Sequence, residues 1–480
     1  MEGRLAVDGW RDASALVPAL TAVCADVRHD DAARAEASRD WWPLALHWAL
    51  AGDVPAAASV VCRPSTAAEV AAVVHCCHEA HMPLTAAGGR SGVCGASVPL
   101  FGGVVLDLAG LAGIVSVDDT SLVIDVAAGT FGHHLEASLR ADHGLTTGHW
   151  PQSIELSTVG GWLACRSAGQ YSTRYGKIED MVVGLDVVLA DGTTVTTGGH
   201  PRQAVGPDLT QLFVGSEGTL GVITGARLRV HPVAPATWRA AFGFPSFADG
   251  LDACRRILRR GATPAVLRLY DGPESARSHG TDGDVCVLLV LDEADPAFLS
   301  ATASVVDAEC AGAARLGDEL VERWLTHRND VSALHALTEK GFVVDTMEIA
   351  APWSRLDAIY DATVAAMLAV EHTRVATAHL SHNYSDGACL YFTFAATPPP
   401  DAIERTYVAL WDAGQRAVLG AGGSLSHHHG VGLNRARFVA DALGAGAGVL
   451  ARLKAALDPT GILNPGKLGL PTPFGEVAWP

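Results

Sequence analysis

Residues 148–162 read Gly148-His149-Trp150-Pro151-Gln152-Ser153-Ile154-Glu155-Leu156-Ser157-Thr158-Val159-Gly160-Gly161-Trp162. Ser157 is placed to cap a helix whose first turn holds Thr158, Gly160 and Gly161. The exposed N–H groups at such a helix start bind an anion or a carbonyl, and glycine lets a ligand approach the backbone closely. We therefore expect this stretch to form a ligand site from its backbone.

Two other glycine-rich turns accompany this stretch. Residues 88–93, Gly-Gly-Arg-Ser-Gly-Val, follow a predicted strand, and backbone N–H groups in such a turn bind the oxygens of a pyrophosphate. A purely structural turn is the alternative. The spacing is not the G-x-G-x-x-G that opens a helix, which disfavours a Rossmann nicotinamide site. Residues 214–224 form the third turn and lead into an apolar strand that can bond a planar ring. Two anion sites in one domain suit a dinucleotide.

Three adjacent histidines, His427, His428 and His429, lie in the glycine-bracketed segment 422–432. Nothing about folding requires them, because the run has no apolar periodicity. Imidazoles titrate near neutral pH and can donate or accept hydrogen bonds. A plain surface loop is the alternative. We interpret segment 422–432, called the histidine loop below, as half of an active site.

Composition narrows the class of protein. The 480-residue chain carries a net charge of −18 and no block of basic residues, which argues against nucleic acid as a partner. The ten cysteines include no C-x-x-C pair, so free thiols in a reducing compartment are expected. No signal-like apolar region is seen near the first residues, and no apolar run approaches ~18 residues. We expect a cytoplasmic enzyme without a membrane segment.

The pattern of elements predicts an α+β chain. Residues 1–55 are expected to form a helical lead-in. Residues 56–232 are expected to form a domain with strands at 59–62, 84–87, 104–108, 122–126 and 221–230, helices at 67–80 and 132–141, and a hairpin over 181–197. Residues 233–455 predict an antiparallel sheet, with strands at 266–270, 285–291 and 390–396, flanked by helices at 247–260, 296–314, 353–369 and 401–419. Residues 456–480 are expected to return to the first domain.

The three glycine stretches resemble the FAD-binding domain of the vanillyl-alcohol oxidase/PCMH flavoprotein superfamily. Further stretches are similar to one branch, the alkylglycerone-phosphate synthases: 151–162, 166–169, 175–180, 206–208, 264–271, 351–353, 386–392 and the histidine loop. The resemblance implies a PCMH-type two-subdomain FAD-binding domain followed by a substrate, or cap, domain with an antiparallel sheet flanked by helices. It also implies FAD as cofactor.

The resemblance assigns roles residue by residue. The turn at 88–93 would cradle the FAD pyrophosphate, and other positions would line the rest of the cofactor. The catalytic group would be the histidine loop, a tyrosine and two arginines, one of them suited to a substrate phosphate or carboxylate. The cofactor residues are then Pro64, Gly88, Gly89, Arg90, Ser91, Gly92, Val93, Pro151, Ser153, Ser157, Thr158, Gly161, Ser167, Glu217, Gly218, Thr219, Gly221 and Ile223, and the catalytic residues are Tyr391, His427, His428, His429, Arg268 and Arg166.

Tyr391 and Arg268 also make chemical sense by themselves. A phenol near imidazoles and arginines can have a lowered pKa and act as a general base. The alternatives are a core aromatic for Tyr391 and a surface ion pair for Arg268.

Two departures from the superfamily pattern matter. Covalent flavin attachment uses a histidine in the glycine turn, where this chain has Arg90, so noncovalent FAD is expected. The tail at 461–467 is more similar to FAD-linked 2-hydroxy-acid dehydrogenases, some of which hold a metal. Tyr391 and His428 stand where that site would need a histidine and a glutamate, so no metal is predicted, with His382 and the histidine loop as the alternative.

Two functions follow as expectations. The first is a synthase-like flavoenzyme in which flavin N5 and a Tyr/His pair act on a small anionic hydroxy- or keto-compound. The second is an FAD-linked dehydrogenase or oxidase of 2-hydroxy acids or a related alcohol. A homodimer is also expected. A flavin-binding protein without activity is disfavoured because reactive groups cluster at working sites.

Overall fold

The computed structural model describes residues 3–5, 8–330, 332–477 and 479, with the side chains of 332–335 left out. Strands in these residues form four sheets. The first has the order β1-β2-β4-β3, with β2, β4 and β3 parallel. Its strands are β1 (Val27–Arg28), β2 (Val60–Cys62), β3 (Leu84–Ala87) and β4 (Val104–Asp107), and the helices around it are α1 (Val17–Val23), α2 (Asp31–Ala37), α3 (Pro43–Leu50) and α4 (Ala67–Glu79).

Helix α4 begins where the sequence predicts. Thr66 accepts a hydrogen bond from the backbone of Glu69, whose carboxylate in turn accepts from the N–H of Thr66. This capping box satisfies N–H groups that a helix start leaves unpaired.

The second sheet is antiparallel, in the order β5-β6-β10-β8-β9, and a small sheet pairs β7 with β11. The predicted hairpin of 181–197 is β8 and β9. The elements of this region are β5 (Ile114–Asp118), β6 (Val123–Ala127), β7 (Leu145–Thr146), β8 (Val182–Val188), β9 (Thr194–Gly198), β10 (Val222–Arg229), β11 (His231–Pro232), α5 (Gly132–Ser138), α6 (Val159–Cys165), α7 (Ser172–Tyr175), α8 (Ile178–Met181) and α9 (Leu209–Phe213).

A seven-stranded antiparallel sheet in the order β15-β12-β14-β13-β17-β18-β16 dominates the rest of the chain. Helices flank it, as predicted for the cap. The elements are β12 (Ala236–Phe244), β13 (Val266–Tyr270), β14 (Cys286–Ala294), β15 (Ala314–Leu316), β16 (Val343–Pro352), β17 (Thr373–Asn383), β18 (Gly387–Ala396), α10 (Phe247–Arg259), α11 (Gly272–His279), α12 (Pro296–Glu309), α13 (Glu319–His327), α14 (Ser332–Glu339), α15 (Leu356–Leu368), α16 (Ile403–Gly420), α17 (Val439–Leu443) and α18 (Ala445–Leu457).

The α+β class is confirmed, while some element limits differ from the prediction. The helix expected over 296–314 ends at Glu309, and residues Ala314–Leu316 pair with β12 instead. The helix expected over 132–141 ends at Ser138 and continues as a π-helical turn, Leu139–His143. In the described part of the chain no helix is both long and apolar enough to cross a bilayer.

The last residues return to the first sheet. The N–H of Leu84 donates to the carbonyl of Ile462, and the N–H of Asn464 donates to the carbonyl of Leu84. The Lys467 ammonium, fully buried, donates to the carbonyl of Val98. The tail thus pairs with the edge strand β3, which leads directly into the glycine turn at 88–93.

Candidate active site

A cavity of about 780 Å³ lies between the glycine turns and one face of the seven-stranded sheet. The turn at 88–93, the segment 151–161 and the turn before β10 line one side. Strands β13, β17, β18 and β16, with the histidine loop, line the other. Its volume is that of a cavity for a sizeable organic ligand.

The glycine turn fits a pyrophosphate. The N–H groups of residues 90–93 have no acceptor among the described residues, so they are free to bond a ligand. Gly88 and Gly89 are required by close packing: a Cβ on Gly88 would lie 2.2 Å from the Thr158 hydroxyl, and one on Gly89 would lie 1.9 Å from the carbonyl oxygen of Leu156. The turn and the segment 151–158 therefore form one continuous cradle.

The start of α6 differs from the prediction. Thr158, and not Ser157, is the N-cap, and its hydroxyl accepts from the N–H of Gly161 at 3.4 Å. The N–H groups of Val159 and Gly160 donate to carbonyls of residues 130 and 128. The expectation that this helix start offers free N–H groups is therefore wrong, because neighbouring backbone already accepts them.

Arg90 is held away from flavin chemistry. Its guanidinium lies 3.2 Å from Asp107 and 2.9 Å from Glu36. An arginine in two ion pairs has no nucleophilic nitrogen to offer. The residues present thus fit FAD held by noncovalent contacts.

A row of reactive side chains crosses the face of the sheet that is turned to the cavity. Across β13, β17, β18 and β16 the residues Tyr270, His379, Tyr391 and Glu348 are opposite one another in register. Arg268 lies two residues before Tyr270 and so shares its face. The ring of Tyr391 stacks on His379 with centroids 4.8 Å apart at 17°.

A bulge adds His382 to this face. The register of β17 against β18 shifts between Leu380 and His382, which sets His382 opposite Cys389. Cys389 is two residues from Tyr391, so all three side chains lie on one face. His382 stacks against His427, and its ring centroid lies 5.0 Å from that of His428.

The histidine loop closes over the row. His428 lies 6.0 Å from Tyr391 between ring centroids. His427 Nδ1 lies 2.8 Å from His428 Nδ1, and His427 Nε2 lies 2.9 Å from the Tyr384 hydroxyl. One ring nitrogen each from His382, His427 and His428 lies within 4.8 Å of the others, a geometry that a divalent metal can use. The expectation of no metal stays a prediction.

Burial decides the protonation of these groups. It lowers the pKa of His382, His427 and His428 well below the usual range, so their imidazoles are neutral. Burial raises the pKa of the Tyr391 phenol, whose hydroxyl donates to Thr346 Oγ1 at 3.0 Å. The expectation that Tyr391 has a lowered pKa is therefore wrong, because burial keeps the phenol protonated.

Arg268 belongs to a hydrogen-bonded chain. Its guanidinium lies 2.6 Å from His379 Nε2, and His379 Nδ1 lies 2.8 Å from Glu274. Burial would raise the pKa of Glu274, but His379 and nearby arginines hold it below the usual value. A second bond to the Tyr270 hydroxyl at 2.8 Å fixes the direction of Arg268.

Two buried carboxylates hold the backbone of the histidine loop. Glu348 Oε1 accepts from the N–H groups of His427, His428 and His429 at 3.1, 2.9 and 2.7 Å. Arg435, itself fully buried, pairs with the other oxygen of Glu348. Glu217 accepts from the N–H groups of residues 431 and 432 at 2.6 and 2.9 Å.

Most predicted site residues line the cavity, and four do not. Pro64 and Thr219 are packed outside it, Arg166 turns to the Val214 carbonyl and Gln211, and His427 lies behind His428. The residues that line it are Gly88, Gly89, Arg90, Ser91, Gly92, Val93, Pro151, Ser153, Ser157, Thr158, Gly161, Ser167, Glu217, Gly218, Gly221, Ile223, Arg268, Tyr391, His428 and His429.

Several lining groups were missed from the sequence. Arg328 and His279 face the cavity beside Arg268, and Arg323 lies at the same end. The buried Asp40 of the lead-in also lines it, and burial raises its pKa to about 7. None of these residues lies in a recognisable sequence motif. The one signal in the sequence is the amphipathic pattern of α13, which indicates that Arg323 and its neighbours belong to a packed helix.

Comparison with known sequences shows which family the chain belongs to. Residues 58–198 match the family described as FAD binding domain, and residues 235–468 match FAD linked oxidases, C-terminal domain. An uncharacterized FAD-linked oxidoreductase YgcU of Escherichia coli O157:H7 is 32% identical over 385 residues, covering 76% of this chain and 79% of that protein. The alkyldihydroxyacetonephosphate synthase of Dictyostelium discoideum is 30% identical over 460 residues, covering 88% of this chain and 74% of that protein. The glycolate oxidase subunit GlcD of Bacillus subtilis is 28% identical over 431 residues, covering 85% of this chain and 88% of that protein.

Solved structures show the same fold. An alkyldihydroxyacetonephosphate synthase superposes with a TM-score of 0.80 at 26% identity, covering 97% of this chain and 88% of that one. A p-cresol methylhydroxylase superposes with a TM-score of 0.78 at 16% identity over 98% of both chains, which concerns the fold alone. The chain is therefore an FAD-dependent enzyme that belongs to the FAD-linked oxidase family of the vanillyl-alcohol oxidase/PCMH superfamily and is similar to its alkyldihydroxyacetonephosphate synthase branch.

Proposed function

We propose that this enzyme acts on a small anionic hydroxy- or keto-compound, with Tyr391 as acid and His428 as base beside the flavin. The observation that carries the proposal is one cavity in which a protonated phenol, a neutral imidazole and a cationic end face the same space. The turn at 88–93 and the segment 151–161 would hold FAD, which would supply a two-electron acceptor.

The cationic end is suited to the charge of the substrate. Arg268, Arg323 and Arg328 line it, while the nearby carboxylate Glu274 is already bonded to His379. Arg328 is held over the rings of Trp150, Tyr171 and Trp324. Bidentate contacts from guanidinium groups are the usual means of binding a carboxylate or phosphate.

Unsatisfied polar atoms mark the same place. Both ring nitrogens of His279 and the Nη1 of Arg328 are buried without a hydrogen-bond partner among the described residues. Buried polar groups are rarely left unpaired, because each costs roughly 1–3 kcal/mol. An anionic ligand group at this end would accept from Arg328 Nη1 and from the single N–H of the neutral His279 imidazole, while the other ring nitrogen of His279 would accept from a donor such as a substrate hydroxyl.

Proton transfer follows from the pKa directions. His428 accepts a proton from the substrate hydroxyl or from the carbon beside its carbonyl, because its imidazole is neutral over the physiological range. On a keto-compound Tyr391 donates its proton to the carbonyl oxygen as His428 removes the proton from the adjacent carbon, whereas on a hydroxy-compound, whose oxygen loses its proton to His428, the Tyr391 phenol donates only a hydrogen bond to that oxygen. Thr346, which now accepts from that phenol, holds its direction until substrate arrives.

Anaerobic mixing tests the proposal. The FAD-loaded enzyme is mixed with a 2-hydroxy acid, a phosphorylated hydroxyketone and neutral alcohols of equal length, and the visible absorbance of the flavin is followed. We expect the anions to react or bind and the neutral analogues to do neither. Equal behaviour of neutral and anionic compounds would refute the proposed role of the cationic end.

A matched pair of variants sharpens that test. Arg328→Met removes a cation of the cavity, and Arg374→Met removes an arginine whose described contact is the remote Thr397. Loss of a charge-assisted hydrogen bond costs roughly 1.5–3 kcal/mol, so KM for an anion should rise about tenfold or more in Arg328→Met only. An unchanged KM would place the anion elsewhere.

The second candidate is a dehydrogenase or oxidase of 2-hydroxy acids. The similarity to a glycolate oxidase subunit favours it, as does the tail at 461–467. Rapid loss of flavin absorbance with a simple 2-hydroxy acid would select this function. Binding of a phosphorylated hydroxyketone without net flavin reduction would select the synthase-like one.

A further inference from the structure

The backbone of the histidine loop is held by two carboxylates from separate sheets. Glu217 lies in the turn before β10 of the five-stranded sheet, and Glu348 lies on β16 of the seven-stranded sheet. Together they accept from five of the six consecutive N–H groups of residues 427–432. Gly430 supplies the sixth, which has no acceptor among the described residues.

Both carboxylates are buried and fixed at their other atoms. The side chain of Glu348 is 0% exposed, and it also accepts from the Ser426 hydroxyl at 2.6 Å. The carbonyl of Glu217 accepts from Asn464 Nδ2 at 2.7 Å. A Cβ on Gly430 would lie 2.5 Å from Glu217 Oε1, so the loop approaches this carboxylate as closely as a glycine allows.

We propose that Glu217 and Glu348 are positioning residues that clamp the histidine loop between the cofactor side and the substrate side of the cavity, so that His428 is fixed against Tyr391. The clamp makes a direct link from the flavin side, because Glu217 and Gly218 themselves line the cavity. Lys177 adds a third contact, since its ammonium donates to the carbonyl of His427 at 2.6 Å. Because the N–H groups of His428 and His429 are occupied, these two residues face the cavity with their imidazoles.

Hydrogen–deuterium exchange of the unmutated FAD-loaded enzyme tests the clamp without any substrate. With single-residue resolution, the amides of residues 427, 428, 429, 431 and 432 should exchange slowly, and that of Gly430 at least about tenfold faster. Fast and uniform exchange across 427–432 would overturn the proposal.

A variant pair locates the effect. Glu217→Gln keeps one oxygen acceptor but removes the charge, and Glu155→Gln is the control, because Glu155 is exposed on the neighbouring cofactor segment. We expect exchange at 431 and 432 to rise about tenfold in Glu217→Gln, with FAD still bound, and to be unchanged in Glu155→Gln. Unchanged exchange in both would also overturn the proposal. If Glu217→Gln fails to fold, Glu348→Asp gives the same reading at 427–429.

A kinetic test of the clamp rests on the proposed function, and its outcome is independent of the exchange experiment. In a double-mutant cycle, Glu217→Gln should lower kcat with little change in KM, and it should cause no further loss in a His428→Ala background. Additive losses would show that Glu217 does not act through His428. If exchange is slow as expected but the losses of kcat in the double-mutant cycle are additive, the positioning role is refuted. If no anion is turned over at all, only the proposed function is called into question.

Discussion

Replacing Tyr391 with phenylalanine removes the proposed acid and leaves the shape of the site intact. The ring stacks on His379 at 4.8 Å and lies in a fully formed sheet row, so Tyr391→Phe opens no cavity. The lost bond to Thr346, at 3.0 Å, should cost about 1 kcal/mol of stability. Loss of a positioned general acid typically lowers a rate by about 10²–10⁴, which is roughly 3–5 kcal/mol of barrier.

The assay is the rate of flavin reduction, or of turnover, with the anion selected by anaerobic mixing. Tyr360→Phe is the matched control, because the Tyr360 hydroxyl donates to Asp271 at 3.1 Å outside the cavity. We expect a large loss in the first variant and a change of about twofold or less in the second. A Tyr391→Phe enzyme that retains FAD and works within a few-fold of wild type would refute the role of Tyr391.

Three further outcomes are expected. Gly89→Ala should weaken FAD binding by about tenfold or more in a fluorescence titration, because the added Cβ would clash with the Leu156 carbonyl. The control Gly312→Ala has open space around the added Cβ and should leave the affinity for FAD unchanged. Equal affinities in the two variants would refute the cradle. Acid precipitation should release all flavin into the supernatant, because Arg90 offers no covalent bond; flavin retained on the chain would contradict this. Burial lowers the pKa of His149 to about 3 in the folded chain. As pH falls below about 6.5, His149 therefore gains a proton in the unfolded chain but stays neutral in the folded chain, and the free energy of unfolding decreases. Urea unfolding should therefore show wild type losing about 1 kcal/mol more than His149→Gln between about pH 7.5 and about pH 5.5, and equal losses would refute a buried neutral His149.

Local patterns predicted much of the scaffold. The Thr66 capping box, the strand Val266–Tyr270 and the hairpin of 181–197 appear where turn residues and apolar periodicity place them. The glycine turn at 88–93 lines the cavity, and its role in binding the pyrophosphate stays a prediction. These features depend on residues close in sequence, so a single chain reveals them.

The chemistry of the site needed the tertiary structure. Strands β16 and β17 were not predicted, because their cavity faces carry Thr346, Glu348, His379 and His382 in place of apolar residues. The pKa directions of Tyr391 and His428 depend on burial between two distant parts of the chain. Sequence alone does not give that burial, which is why the phenol was expected to be the base.

A crystal structure of the FAD-loaded enzyme tests the central claim most directly. The prediction is an isoalloxazine ring between segment 151–161 and the sheet face, with Tyr391 and His428 at its reactive edge and the pyrophosphate at residues 90–93. Density for the ring outside this cavity, or a histidine loop turned away from it, would contradict the assignment of both the cofactor site and the acid–base pair.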